Sequence, residues 1–115
     1  MSLEVRRLTP GDFEAFRAMN RLFARAFDDA EHYGSAPPSD VYIEERLADT
    51  TFVALLATLN QEPVGALAAY ELKKFERERS ELYIYDLAVE EAHRRQGVAT
   101  ALIGWLQHYA GSTNA

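Results

Sequence analysis

The residues best suited to chemistry lie between Leu87 and Ile103, where an apolar segment leads into a predicted helix through Arg94, Arg95, Gln96 and Gly97. A helix that begins directly after a strand leaves backbone N–H groups unpaired at its N-terminus, where the helix dipole adds positive potential. Such a junction binds phosphate, and a glycine there lets the backbone approach a ligand closely. This junction is therefore predicted to hold a phosphate group.

By itself the pattern Arg-x-x-Gly-x-Ala at residues 94–99 is a weak signal, because arginines also occur at helix starts for solubility. No Gly-Lys-Ser/Thr follows it, which excludes a P-loop, and the glycine triplet of a dinucleotide-binding fold is absent. The apolar strand that precedes it, Leu87-Ala88-Val89, makes the phosphate interpretation more specific.

Asp86 is the candidate catalytic carboxylate. In a predicted strand over residues 81–89, side-chain alternation places it on one face with Leu82, Ile84 and Ala88. The other face then carries Tyr83, Tyr85, Leu87 and Val89. A carboxylate among apolar neighbours is costly without a partner, and such groups often accept a proton or hold a cation. The alternative is a structural ion pair with an arginine or lysine, and the nearby phosphate turn favours function.

Composition narrows the class of protein. The 115 residues carry a formal charge of −6, which argues against general nucleic-acid binding, since that needs a clustered basic surface. Without cysteine there is no disulfide framework, and the three histidines lack metal-ligand spacing, so no metal site is expected. No apolar run reaches the roughly 20 residues that span a bilayer. We expect one cytoplasmic domain over residues 1–115, with no membrane and no nucleic-acid partner.

The elements that position these residues begin with a strand at residues 3–8. Thr9 is predicted to cap a first helix, with Pro10 at its first position. Its core face carries apolar side chains at helical spacing, namely Phe13, Phe16, Met19, Leu22, Phe23 and Phe27. A second helix runs from a cap at Ser39 or Asp40 to about Ala48. The loop between them is acidic and aromatic, and is either a solvated connection or a source of substrate contacts.

Strands over residues 51–59 and 64–72 form a predicted antiparallel hairpin around a turn at residues 60–63. A charged loop at residues 73–80 leads to strand 81–89, a helix follows over 95–109, and residues 110–115 are expected to be a polar tail. The predicted class is α/β (α+β), with a mixed, mostly antiparallel sheet flanked by helices in the order β-α-α-β-β-β-α.

The stretch 87–99 resembles the acetyl-coenzyme A signature of the GNAT superfamily of N-acetyltransferases. Together, the segments VGALAAY, KFE, IYDLAV and HRRQG.ATALI resemble aminoglycoside (gentamicin) 3-N-acetyltransferases within that superfamily. The resemblance implies acetyl-CoA as cofactor, with pantetheine held by Leu87, Ala88 and Val89. It implies that the pyrophosphate is held by Arg94, Arg95, Gln96, Gly97, Val98, Ala99 and Thr100.

The same resemblance implies transfer of an acetyl group to an amine of a polycationic antibiotic, and hence antibiotic resistance. Asp86 would orient or deprotonate the attacking amine. Further substrate contacts are expected from acidic and aromatic residues, namely Asp28, Asp29, Glu31, Tyr33, Asp40 and Tyr85. Two alternatives remain: an N-acetyltransferase for another polyamine or small amine, and a catalytically inactive acetyl-CoA-binding or dimerising protein.

A complete GNAT domain continues beyond the helix at 95–109 with a strand, a helix and a final strand. The resemblance therefore implies a C-terminally shortened chain, in which no residue is assigned as the general acid. Strand 81–89 would then have one edge without a partner from later in the chain. Because exposed strand edges pair with other chains, we expect a homodimer or another form of pairing along this edge.

Overall fold

The computed structural model describes residues 2–113. Its elements in chain order are β1 (Leu3–Arg7), α1 (Phe13–Ala26), α2 (Ala30–Gly34), α3 (Asp40–Ala48), β2 (Phe52–Leu59), β3 (Glu62–Lys73), β4 (Ser80–Val89), a 3-10 turn (Glu91–His93) and α4 (Val98–Gly111). The predicted fold class and strand order are confirmed, and α2 is an additional short helix within the predicted acidic loop. No helix in residues 2–113 is long and apolar enough to cross a membrane.

The sheet is antiparallel in the order β1-β2-β3-β4, and a separate core packs on each of its faces. One core joins the sheet to α1 and α3 through fully buried side chains such as Leu22, Phe23 and Ile43. The other joins it to α4 through Val98, Leu102 and Leu106. Within the described chain β4 is an edge strand, as predicted, and α1 and α4 flank its C-terminal end.

The start of α1 differs from the prediction. The helix begins at Phe13, because Thr9 closes a turn with Asp12 and does not cap the helix: its N–H donates to the Asp12 carboxylate at 2.7 Å. The Arg6 guanidinium binds the same carboxylate at 3.0 Å and lowers the pKa of Asp12 below its usual range. The Ser39 cap of α3 is confirmed, since its hydroxyl accepts the Tyr42 N–H.

A β-bulge at Tyr85 changes which side chains of β4 share a face. Ala68 and Ala69 are consecutive on β3, yet they lie opposite Asp86 and Ile84, so Tyr85 is an extra residue. Ala68 belongs to the core beneath α1, and Ala69 to the core beneath α4. Asp86 therefore faces the α1 side.

The predicted grouping of Asp86 with Leu82 and Ile84 is wrong, because these two residues face the α4 side, whereas Asp86 and Ala88 face the α1 side. The bulge likewise separates Tyr83 from Leu87 and Val89. A sequence read with strict alternation cannot show this change, since one inserted residue moves every earlier side chain of the strand to the opposite face.

Three boundaries also differ from the prediction. Asn60 and Gln61 alone form the β2–β3 turn, both with positive φ (52° and 69°), so β3 already begins at Glu62. The α4 helix begins three residues late, at Val98, and runs on to Gly111. The first part of the predicted polar tail is thus helical, and its last two residues, 114–115, lie outside the described residues.

Gly65 lets α4 pack directly on β3. A Cβ at this position would lie 2.6 Å from Val98 Cγ1 and 3.3 Å from the Ala88 carbonyl oxygen. Gly65→Ala is therefore expected to destabilise the fold by about 1–3 kcal/mol, the usual cost of overpacking a core. Thermal unfolding followed by circular dichroism measures the change. Gly104→Ala is the control, because Gly104 is an exposed position in α4 with open space around it, and it should be neutral or stabilising.

Candidate active site

After β4 the chain forms a turn in which two residues adopt a left-handed backbone conformation. After the 3-10 turn, Arg95 has φ +65° and Gly97 has φ +82°. These conformations cannot belong to a right-handed helix, which is why α4 begins at Val98 and not at residue 95. Gly97 occupies the N-cap position of α4, and no side chain caps the helix there.

The backbone of this turn presents a set of unpaired donors. The first hydrogen bond of α4 runs from the Ala101 N–H to the Gly97 carbonyl at 3.0 Å. In the described part of the chain, the N–H groups of residues 95–100 have no acceptor. A Cβ placed on Gly97 would meet no atom within 4 Å, so the space in front of these donors is open. Free N–H groups at the N-terminus of a 14-residue helix are suited to an anionic diphosphate.

A cavity of about 200 Å³ lies at this turn, lined by Val89 and by residues 93–95 and 97–100. Of the two arginines, Arg94 turns its side chain back to donate from Nε to the Val89 carbonyl at 3.3 Å. Arg95 is exposed. His93 also lines the cavity, and its Nδ1 is buried without a hydrogen-bond partner in residues 2–113. Of the predicted phosphate-binding residues, all but Gln96 thus line one open space.

A groove of about 300 Å³ continues from the turn along the end of β4. Leu87, Ala88 and Val89 form one wall, and Ala26 and Phe27 at the end of α1 form the other. The walls are linked beside the groove by an ion pair between Arg25 and Glu90, with a shortest N–O distance of 2.6 Å. The groove is lined mainly by apolar side chains, which suits an apolar part of a ligand.

Asp86 has a partner that is not a cation. The Tyr33 hydroxyl donates to Asp86 Oδ2 at 2.8 Å. No arginine or lysine in residues 2–113 forms an ion pair with Asp86, so the structural ion pair considered above is not present there. Asp86 is half-buried and keeps acceptor capacity for a ligand.

Tyr33 is held in place by α2 and by neighbouring rings. Its ring centroid lies 5.8 Å from those of both Phe23 and Phe27. Burial, followed by the hydrogen bond to Asp86, raises the pKa of Tyr33 well above its usual value. The hydroxyl therefore stays protonated at neutral pH and remains a donor. The sequence predicts Tyr33 as a substrate contact, but no sequence signal indicates that it is the partner of Asp86.

The other predicted acidic contacts are not all free for a ligand. Asp29 caps α2 by accepting the His32 N–H at 3.1 Å, and Asp40 pairs with Arg17. Asp28 and Glu31 are exposed on the same segment. Tyr85 is 59% exposed and its ring contacts that of Tyr70. Among the described residues, no group of histidine or acidic side chains has the arrangement of a metal site.

Residues 16–115 match the model of the acetyltransferase (GNAT) family. The chain belongs to the GNAT family of acetyltransferases. The turn at residues 94–100, the apolar groove and Asp86 all lie within the matched residues. No curated protein matches the sequence significantly.

Solved structures place this GNAT chain close to aminoglycoside acetyltransferases from uncultured soil metagenomic samples. One is 48% identical with a TM-score of 0.97, over 100% of this chain and 76% of that chain. Another, solved with sisomicin, is 29% identical with a TM-score of 0.88, over 96% of this chain and 70% of that chain. A ribosomal-protein-alanine N-acetyltransferase from Brucella melitensis biovar Abortus 2308 is 25% identical with a TM-score of 0.74, over 98% of this chain and 74% of that chain.

Proposed function

We propose that this GNAT protein is an acetyl-CoA-dependent N-acetyltransferase that modifies an amine of an aminoglycoside antibiotic, at the 3-N position, and so gives resistance. The observation that carries the proposal is Asp86, a half-buried carboxylate bound by a neutral Tyr33 hydroxyl and not by any described basic side chain. A carboxylate in this state attracts a cationic amine. The two aminoglycoside acetyltransferases of similar structure support this acceptor class.

The coenzyme side of the proposal depends on the end of β4 and the turn after it. The unpaired N–H groups of residues 95–100 hold the pyrophosphate, and Leu87, Ala88 and Val89 line the pantetheine groove. Arg95 adds positive charge at the open turn. When bound there, acetyl-CoA supplies an activated acetyl group. Both sites belong to one strand, so β4 fixes the separation between the coenzyme and the acceptor.

Asp86 orients the acceptor amine and takes up the proton that the ammonium loses before it can act as a nucleophile. The Tyr33 hydroxyl occupies Oδ2 of Asp86, which leaves Oδ1 for the acceptor. The exposed carboxylates of Asp28 and Glu31 attract further ammonium groups of a polycation, and the net charge of −6 adds to this attraction. Asp29 and Asp40 act indirectly, because their contacts shape the segment around α2.

A second candidate acceptor is the amine of a protein or of another small molecule. The similarity to a ribosomal-protein-alanine N-acetyltransferase supports this second acceptor class. An inactive coenzyme-binding role, pairing along the edge of β4 into a homodimer and a cytoplasmic location stay predictions.

A coupled assay of coenzyme A thiol release tests the function. With acetyl-CoA present, we expect release with gentamicin and other aminoglycosides, and much slower release with spermidine or an alanine-terminated peptide. Mass spectrometry of the product then locates the acetylated nitrogen. Release with spermidine or the peptide alone would replace the proposed acceptor class, and no release with any amine would favour the inactive role.

A further inference from the structure

The bulge in β4 brings an aromatic ring and a carboxylate together on the same side of the sheet. Consecutive strand residues normally point to opposite faces, but Tyr85 is the extra residue between Ile84 and Asp86. Its ring contacts Tyr70 edge-on, with centroids 6.0 Å apart and an interplanar angle of 88°. Tyr70 in turn packs on Phe52, which belongs to the core beneath α1. The Tyr85 ring therefore lies on the face that also carries Asp86.

The ring of Tyr85 is supported by one perpendicular ring contact and is otherwise largely exposed. Tyr70 is itself packed against Phe52 at 5.2 Å, so the edge contact has firm support from the core. The Tyr85 side chain nevertheless remains 59% exposed. It is the immediate chain neighbour of Asp86, and the bulge leaves both side chains on the α1 side of the sheet. An exposed aromatic surface thus borders the proposed acceptor carboxylate.

We infer that Tyr85 is a specificity-determining residue whose ring stacks on the apolar face of an aminated six-membered ring while Asp86 binds an ammonium group of that ring. The inference rests on the proposed function and assigns to Tyr85 the discrimination between cyclic and linear polyamines. A cyclitol or amino sugar presents C–H groups on its ring face and ammonium groups at its rim, which matches an aromatic ring beside a carboxylate. A linear polyamine satisfies Asp86 equally well but has no ring face to cover Tyr85.

Steady-state kinetics with gentamicin and with spermidine separate ring stacking on Tyr85 from charge attraction to Asp86. In Tyr85→Leu, we expect KM for gentamicin to rise about tenfold, because an aromatic ring no longer covers the apolar ligand face. KM for spermidine should change less than about twofold, since charge attraction to Asp86 is retained. Tyr85→Phe should restore gentamicin KM. Phe75→Leu is the matched control, since it removes an aromatic side chain that is 98% exposed outside the site, and both KM values should stay unchanged.

Equal changes in both KM values, or no change in either, would overturn the role of Tyr85 while leaving aminoglycoside acetylation intact. If the unmodified protein releases no thiol with gentamicin, the proposed function fails. Calorimetric titration with gentamicin then tests Tyr85 separately: weaker binding by Tyr85→Leu but not by Tyr85→Phe supports stacking. Equal binding by all variants, or binding by none, contradicts it.

Discussion

Gly97→Asp is expected to abolish coenzyme A binding while leaving the chain folded. Gly97 is the N-cap of α4 at φ +82°, in front of the unpaired N–H groups of residues 95–100. A carboxylate at this position would occupy the proposed pyrophosphate site and repel the negatively charged pyrophosphate. Loss of only two charge-assisted hydrogen bonds, at roughly 1.5–3 kcal/mol each, weakens binding by about 100-fold or more. Isothermal titration calorimetry with coenzyme A measures the loss.

The folded protein tolerates this change because the new side chain meets no atom within 4 Å. The remaining cost is the left-handed conformation, about 1–2 kcal/mol. Gly104→Asp is the matched control, since it places the same charge at an exposed glycine of the same helix, and it should leave coenzyme affinity unchanged. Gly97→Ala separates conformational strain from charge and should bind with intermediate affinity. Full affinity in Gly97→Asp would show that the turn does not hold the coenzyme.

Asp86→Asn is expected to lower kcat by about 10²–10⁴-fold, the range lost when a general base is removed. Asparagine has nearly the same shape, and its carbonyl oxygen still accepts the Tyr33 hydroxyl, so the local geometry is preserved. The amide cannot take a proton from an ammonium group. Coenzyme affinity should not change, because Asp86 lines neither the groove nor the cavity at the turn. Stopped-assay kinetics with gentamicin, together with calorimetry, measure both properties.

Glu71→Gln is a close control for this substitution. Glu71 lies on β3, and its carboxylate accepts a hydrogen bond from the Ser80 hydroxyl at 2.6 Å, as Asp86 accepts one from the Tyr33 hydroxyl. The change therefore removes a hydroxyl-bound carboxylate from the same sheet at a place remote from the turn, and kcat should be unaffected. If the Asp86→Asn protein keeps the kcat of the unmodified protein, Asp86 has a structural and not a catalytic role.

The sequence predicts the geometry of the turn at residues 94–100 more completely than the surroundings of Asp86. The turn at residues 94–100 is one continuous segment, so its residues are adjacent in space for purely local reasons. Its exact shape was less predictable: the left-handed Arg95 delays the helix to Val98, and few side chains other than glycine indicate such a conformation in advance.

The surroundings of Asp86 depend on contacts between residues far apart in the chain. Tyr33 and Asp86 are 53 positions apart, and only the packing of α2 against α1 brings the hydroxyl to the carboxylate. The bulge at Tyr85 depends in the same way on how β4 pairs with β3. Periodicity within β4 alone predicts regular alternation, so it placed Asp86 with the wrong neighbours. The acidic loop was identified, but the caps and ion pairs of Asp29 and Asp40 were not.

The helix α2 has a consequence for how acceptor preference can change. None of its residues is buried, whereas β4 contributes to both cores of the protein and α4 to one of them. Substitutions in exposed positions away from such cores usually alter stability little. Residues 30–37, which are exposed apart from Tyr33, can therefore vary with little effect on folding or on the turn at residues 94–100. Natural divergence or laboratory evolution of this segment can therefore change the proposed acceptor preference while the turn at residues 94–100 and the groove along β4 stay constant.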